Sequence, residues 1–143
     1  MSGAPRLNGF DVPRPLLELM LRADWPGKRM SKAWLCRFGD PASGFVEFCA
    51  LGQLERENAN LRDPALAVLR GSPSAGTPPG DFDPEYGFLI GFTDHVDAAI
   101  CVDFRSKEPR IIYDSPSRPR SLFATAFDSL DEFCAFYKQQ HGG

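Results

Sequence analysis

The carboxylates between Asp81 and Asp103 are the groups in this sequence whose types and spacing best suit chemistry. This stretch contains six carboxylates and no lysine or arginine. Within it, the turn Asp94-His95-Val96-Asp97 places a histidine close to two aspartates, and such groups are ligands for divalent metals. Carboxylates without a nearby cation normally face water or a basic partner, because their desolvation is costly. Two kinds of chemistry therefore compete: a metal-dependent reaction and the binding of a basic macromolecule.

A metal site or catalytic centre needs more groups than this turn supplies. The only other histidine is His141, close to the C-terminus and expected to fray. Aspartate also favours turns for a structural reason, since its carboxylate accepts hydrogen bonds from nearby backbone N–H groups. We therefore expect no catalytic residue, no metal and no cofactor. A small metal-dependent hydrolase centred on Asp94, His95 and Asp97 is kept as a third hypothesis.

The acidic side chains predict instead a surface for a basic partner protein, because complementary charge speeds encounter and discriminates between partners. Neutralisation of these acids by the chain's own arginines would count against this interpretation. The alternative is a solvated face that only keeps the protein in solution, and charge alone does not separate the two. The residues expected to contact the partner are Asp81, Asp83, Glu85, Asp94 and Asp97.

Asp103 differs from the other acids in its position. Alternation along a strand puts it on the opposite face from its neighbours Val102 and Phe104. This placement is typical of a structural acid that bonds to a loop.

Length and composition predict one folded domain. The chain has 143 residues, of which 43% are hydrophobic and 24% charged, as is ordinary for a globular protein. The net charge of −3 argues against direct binding of nucleic acid. The charge is unevenly divided, because residues 72–143 carry six basic and eleven acidic side chains.

The cysteines predict a reducing environment. They are far apart in the sequence and stand among apolar neighbours, so we expect buried free thiols and a cytoplasmic location. The sequence has no apolar core of a signal peptide and no run near the roughly 20 apolar residues of a membrane span. We therefore expect no membrane association. The cysteines are Cys36, Cys49, Cys101 and Cys134.

The elements that would position the acids can be read from the pattern of apolar residues, proline and glycine. In the first half we expect a proline-started helix over residues 13–25, a strand over 44–49 and a solvent-exposed helix over 53–58. The short apolar cluster over 34–38 fits a helix or a strand, and we favour the helix. Residues 71–80 contain three glycines and three prolines. We expect this segment to be a flexible loop without regular structure.

Three strands and a helix are predicted after that loop. The strands, over residues 87–92, 98–104 and 110–113, are close enough for hairpin connections and thus an antiparallel meander. A capping box at Ser129 and Glu132 begins a helix whose apolar face should pack on the sheet. The predicted class is α+β, with a largely antiparallel sheet flanked by helices.

The order of these features is similar to that of the SUKH superfamily. The similarity covers residues 81–137 best: a glycine-bearing strand, Gly87–Gly91, leads through an acidic turn to the strand Ile100–Arg105 and to the closing helix pattern Phe127–Phe133. Members commonly carry an acid directly after the glycine that matches Gly91, whereas this chain has Phe92 there. The superfamily includes bacterial immunity proteins and relatives of a fungal cell-wall synthesis regulator.

The resemblance implies a single SUKH-like α+β domain over residues 1–143 and a role that is not enzymatic. It implies a protein that binds and neutralises a cognate toxin domain, often a nuclease. We expect the protein to be a monomer or a weak homodimer. Because nucleases are basic where they grip phosphates, the acidic surface would suit such a partner. The alternative is a regulatory scaffold for protein–protein interaction, as in the fungal relatives.

Overall fold

The structure, a computed structural model, describes residues 6–38, 45–63, 79–82, 84–93, 99–114 and 123–141. In these ranges the chain forms four helices, one seven-stranded sheet and one two-stranded sheet, and all strand pairs are antiparallel. The predicted α+β class is confirmed. Within the described residues, no helix combines the length and the apolar character that crossing a membrane requires.

The strands are β1 (Arg6–Leu7), β2 (Phe10–Asp11), β3 (Gly27–Arg29), β4 (Val46–Phe48), β5 (Pro79–Gly80), β6 (Gly87–Thr93), β7 (Ala99–Asp103), β8 (Arg110–Asp114) and β9 (Phe123–Phe127). The helices are α1 (Arg14–Met20), α2 (Lys32–Arg37), α3 (Leu51–Leu61) and α4 (Leu130–His141). The large sheet has the order β3-β4-β6-β7-β8-β9-β5, and β1 pairs with β2.

The centre of the large sheet is the predicted meander. Strands β6, β7 and β8 follow one another as antiparallel neighbours, and Val102 lies opposite both Phe88 and Ile111. Every residue of β7 is buried, so both faces of this strand are covered. The meander continues into β9, which sequence reasoning missed because its central residues, Ala124, Thr125 and Ala126, are small or polar and only partly buried.

A glycine in β6 allows close packing of two strands. The register between β6 and β7 shifts between Leu89 and Gly91, as it does at a β-bulge. A Cβ atom added to Gly91 would lie 2.1 Å from the carbonyl oxygen of Glu47 on β4. The absence of a side chain at Gly91 therefore lets β4 approach β6.

The first helix is shorter than predicted. Proline precedes and opens α1, as expected, but the helix ends at Met20 and not at Trp25. Trp25 lies in the following turn, where its backbone N–H donates to the Arg22 carbonyl at 3.1 Å. Its ring is nonetheless fully buried, and its Nε1 donates to the Cys49 carbonyl at 2.8 Å. Burial of Trp25 thus depends on the turn, not on an extended helix.

An aromatic cluster joins α2 and α4 to β4. The Trp25 and Phe48 rings stack at 4.6 Å, and Trp34 meets Phe136 edge to face at 4.8 Å. The buried face of α4 includes Phe133 and Tyr137 at the predicted helical spacing. Ser129 accepts a hydrogen bond from the backbone N–H of Glu132 at 3.2 Å, as predicted for the start of this helix.

Several expectations about the other segments need correction. Residues 79–80 of the predicted loop form β5, which pairs with β9, and residues 71–78 lie outside the described residues. The helix predicted to be solvent-exposed buries Leu54 and Asn58 completely or nearly so. Cys36 is exposed, whereas Cys49, Cys101 and Cys134 are buried free thiols.

Candidate protein-binding surface

The structure describes two of the five acids predicted to contact a partner. Asp81 directly follows β5, and Glu85 lies in the turn before β6. The other three predicted contacts, Asp83, Asp94 and Asp97, lie outside the described residues, as does the rest of the turn over 94–97.

The carboxylate of Asp81 forms an ion pair with an arginine of the same chain. Its Oδ1 accepts a hydrogen bond from Nη1 of Arg105 at 2.7 Å, and its backbone carbonyl accepts one from Nη2 at 2.7 Å. The side chain of Asp81 is only 20% exposed. Arg105 therefore neutralises this carboxylate, which counts against Asp81 as a partner contact.

The same arginine binds the buried Asp103 at the end of β7. Oδ1 of Asp103 accepts hydrogen bonds from the backbone N–H and from Nε of Arg105, at 3.1 and 3.0 Å. Its Oδ2 accepts one from Nε of Arg110 at 2.8 Å. The interpretation of Asp103 as a structural acid bonded to a loop is confirmed.

Strand register explains why these charges meet. Asp103 lies directly opposite Arg110 in the β7–β8 ladder, and Arg105 follows it by two residues. Burial lowers the pKa of the Arg105 guanidinium, but its bonds to Asp103 and Asp81 outweigh burial, and the pKa is raised overall. The guanidinium therefore stays charged and joins Asp81, which follows β5, to Asp103 at the end of β7.

Arg105 also supports an aromatic ring at the surface. Its guanidinium carbon lies 4.5 Å from the ring centroid of Tyr86, a cation–π distance, and Tyr86 is 36% exposed. The Tyr86 carbonyl accepts a hydrogen bond from the backbone N–H of Phe104 at 2.8 Å. We call Asp81, Tyr86, Asp103, Arg105 and Arg110 the Arg105 cluster.

An open cavity of about 380 Å³ lies beside Glu85. Its described lining comprises Asn8, Gly9, Arg62, Pro84 and Glu85. Asn8 and Gly9 have φ angles of 53° and 85° and make the tight turn between β1 and β2. Arg62 donates a hydrogen bond from Nη1 to Oδ1 of Asn8. The cavity therefore offers hydrogen-bonding and charged groups at a concave surface, with no nucleophilic side chain among these residues.

A second polar cluster joins α4 to the turn after α1. Oδ1 of Asp24 accepts hydrogen bonds from Nε of Arg22 at 3.0 Å and from the Tyr137 hydroxyl at 2.7 Å. The bond from Arg22 is the main reason why the pKa of Asp24 falls to about 2. The Tyr137 hydroxyl accepts from Nη2 of Arg29 at 2.8 Å. Burial, followed by the bond to Asp24, raises the pKa of Tyr137 to about 12.

His141 belongs to this cluster and is not frayed. It is the last residue of α4, its ring stacks on Tyr137 at 4.4 Å, and Nδ1 lies 3.8 Å from Oδ2 of Asp24. Burial, with the nearby charges of Arg29 and Arg22, lowers the pKa of His141. These contacts hold the C-terminal end of α4 against the turn after α1. The charged groups of the cluster interact with one another.

Buried thiols in this fold are held in the neutral form. Burial raises the pKa of Cys49 to about 12 and that of Cys134 to about 11, and it raises the pKa of Cys101 as well. Within the described ranges, no group of three or more histidine, cysteine, aspartate or glutamate side chains is arranged to hold a metal ion.

Sequence reasoning missed Tyr86, Arg105 and Arg110 as members of the site. The alternation of β7 and the short loop to β8 carried a usable signal, because a hairpin there places Arg110 opposite Asp103.

Comparisons with protein-family models, with curated proteins and with solved structures found no match for this chain. The chemistry of the surface is therefore the basis for inferring what the protein does.

Proposed function

We propose that the protein is a non-enzymatic immunity protein that binds and neutralises a cognate bacterial toxin domain. The binding surface consists of the turn before β6, with Tyr86 and Glu85, and the acidic turn after β6, with Asp94 and Asp97. The observation that carries this proposal is the exposed ring of Tyr86, fixed by Arg105 beside the exposed Glu85. The resemblance of residues 81–137 to the SUKH superfamily supplies the class of partner.

Tyr86 has the properties of an interface anchor. Tyrosine and arginine are enriched among the residues that dominate binding energy at protein interfaces. Here the guanidinium lies 4.5 Å from the ring centroid and is itself bonded to Asp81 and Asp103. Because this support exists before any partner arrives, binding costs little side-chain entropy.

Negative charge gives the surface its preference for a basic partner. Glu85 is exposed, and Asp83, Asp94 and Asp97 add three carboxylates in the flanking segments. A nuclease toxin is basic where it contacts phosphates, so these acids would speed its association. Asp81 is left out of this role because Arg105 occupies its carboxylate.

The test is binding to the toxin-like protein encoded beside this chain's gene. We expect Tyr86→Ala to raise the Kd at least about tenfold, as for a residue that anchors an interface. Leu21→Ala is the matched control, because Leu21 is also a large exposed apolar side chain, at 68%, but lies at the end of α1. Equal effects of the two substitutions would remove Tyr86 from the interface.

Charge is tested separately through the association rate. Glu85→Lys and the double variant Asp94→Lys/Asp97→Lys should slow association at low salt, whereas Glu18→Lys on α1 should not. A rate that is insensitive to both salt and these substitutions would contradict the charge mechanism. Failure to bind any neighbouring toxin would favour the regulatory scaffold.

A further inference from the structure

The outermost strand on one side of the large sheet is β3, and its outer edge carries backbone groups that point away from the sheet. The N–H of Cys49 donates to the Ile90 carbonyl on β6 at 3.1 Å, so Cys49 faces β6. In an antiparallel ladder the direction alternates with each residue, so Phe48 and Val46 face β3. Their partners on β3 are Gly27 and Arg29. The N–H and C=O groups of Lys28 therefore point outward. Met30 follows the last residue of β3, and if the chain stays extended there, the same alternation turns its N–H and C=O outward.

The side chains at this edge combine a cation with an apolar group. Lys28 is exposed, and Met30, two residues later and thus on the same face, is 69% exposed. The Lys28 ammonium lies 4.5 Å from the Phe45 ring centroid. Arg29, on the opposite face, is buried against the core. On the face of Lys28 and Met30, an incoming strand would therefore meet a positive charge and, two residues along, an apolar side chain.

The segment around β3 is basic although the chain is acidic. Residues 21–37 contain five lysines and arginines and one carboxylate, Asp24. That carboxylate is already bonded to Arg22 at 3.0 Å. Pairing two β3 edges from two copies would bring like charges together, whereas an acidic strand would be attracted.

We propose that β3 is a docking site for an extended acidic segment of a partner protein. The segment adds to the sheet through hydrogen bonds to the backbone of Lys28 and Met30. On the face that Lys28 and Met30 share, the segment carries a carboxylate that approaches Lys28 and, two residues along, an apolar side chain that covers Met30. This surface is separate from the acidic surface of the proposed function and does not depend on it.

The probe is a fluorescent peptide, Val-Thr-Glu-Thr-Val with blocked ends, which places its glutamate and its valines on one face. Its counterpart Val-Thr-Lys-Thr-Val is the control. We expect the glutamate peptide to bind, with an affinity that falls as salt rises, and the lysine peptide not to bind. Binding should slow hydrogen exchange at the Lys28 and Met30 amides, because both N–H groups gain acceptors.

Substitutions separate the backbone contribution from the charge. Met30→Pro removes an outward N–H just after β3, and Lys28→Glu reverses the charge. Each should raise the Kd for the glutamate peptide at least about tenfold. Lys138→Glu on the exposed face of α4 is the matched control and should have no effect. Lys28→Glu keeps the test valid if Met30→Pro disturbs the fold.

Several results would overturn the proposal. Equal binding of the two peptides would show that charge does not select the strand. No effect of either substitution, or no binding of the glutamate peptide, would show that the edge is not a docking site. A dimer of the protein that Met30→Pro abolishes would assign the edge to a second copy of the chain.

Discussion

The side-chain amide of Asn58 on α3 bonds to both backbone polar groups of Leu89 on β6. Oδ1 accepts a hydrogen bond from the Leu89 N–H at 2.7 Å, and Nδ2 donates to the Leu89 carbonyl at 3.0 Å. Strand β4 reaches β6 only as far as the bond between Cys49 and Ile90. Beyond that point, Asn58 takes the place of a neighbouring strand and satisfies backbone groups that would otherwise be unpaired.

Replacing Asn58 with leucine should destabilise the protein by about 3 kcal/mol, because the backbone N–H and C=O of Leu89 both lose a buried partner. Denaturation in urea measures the free energy of unfolding. Asn60→Leu, at an exposed position of the same helix, is the control and should cost much less. Equal losses of unfolding free energy in the two variants would mean that the hydrogen bonds between Asn58 and Leu89 do not stabilise the fold.

Glycine to alanine substitutions should have opposite effects at Gly91 and Gly52. A Cβ at Gly91 would collide with the Glu47 carbonyl at 2.1 Å, so Gly91→Ala should cost about 3 kcal/mol as β4 and β6 separate. Gly52 lies in α3 with nothing within 4 Å of an added Cβ. Gly52→Ala should stabilise by up to about 1 kcal/mol through helix propensity. Thermal unfolding of both variants checks the signs.

The two carboxylates that bind Arg105 should differ in their effect on stability. Asp103 is fully buried between two arginines, so Asp103→Asn should cost about 3 kcal/mol. The side chain of Asp81 is partly exposed, at 20%, and solvent screens its ion pair. Asp81→Asn should therefore cost about 1 kcal/mol. Unfolding free energies that rank the two variants in the reverse order would contradict this view of the Arg105 cluster.

Stability should fall in mild acid because of His141. Burial and two arginines lower its pKa in the folded protein below the ordinary 6.5. The unfolded chain therefore binds a proton more readily, and stability present above pH 6.5 is lost as the pH falls through that value toward the folded pKa. His141→Gln should reduce the loss between neutral pH and about pH 5. His95→Gln is the control for the other histidine.

The central strands and α4 could be predicted because their signals are local. Alternation and turn residues mark β6, β7 and β8, and a capping box with apolar spacing marks α4. Strands β3 and β5 have three and two residues and no apolar alternation. They are strands only because β4 and β9 supply partners, and a pattern along the chain contains no such information.

The candidate site was predicted less well for a related reason. Counting charge between Asp81 and Asp103 identified acids but not their distances to Arg105, which lies just outside that stretch. The anchor role proposed for Tyr86 rests on its contact with Arg105, which only the fold shows. Charge composition therefore located the region, whereas the fold showed that Arg105 pairs with Asp81 and Asp103.

The order of strands in the large sheet has a kinetic consequence. Strands β6 to β9 pair as sequential neighbours, whereas β4 joins them through a ladder that links Val46 with Thr93. Closing the long connection costs chain entropy, so the meander is expected to assemble first and β3 with β4 to add last. The same two strands then form the part of the sheet that opens most readily. A partner bound along Lys28 and Met30 would therefore reduce the local opening of that late-folding region.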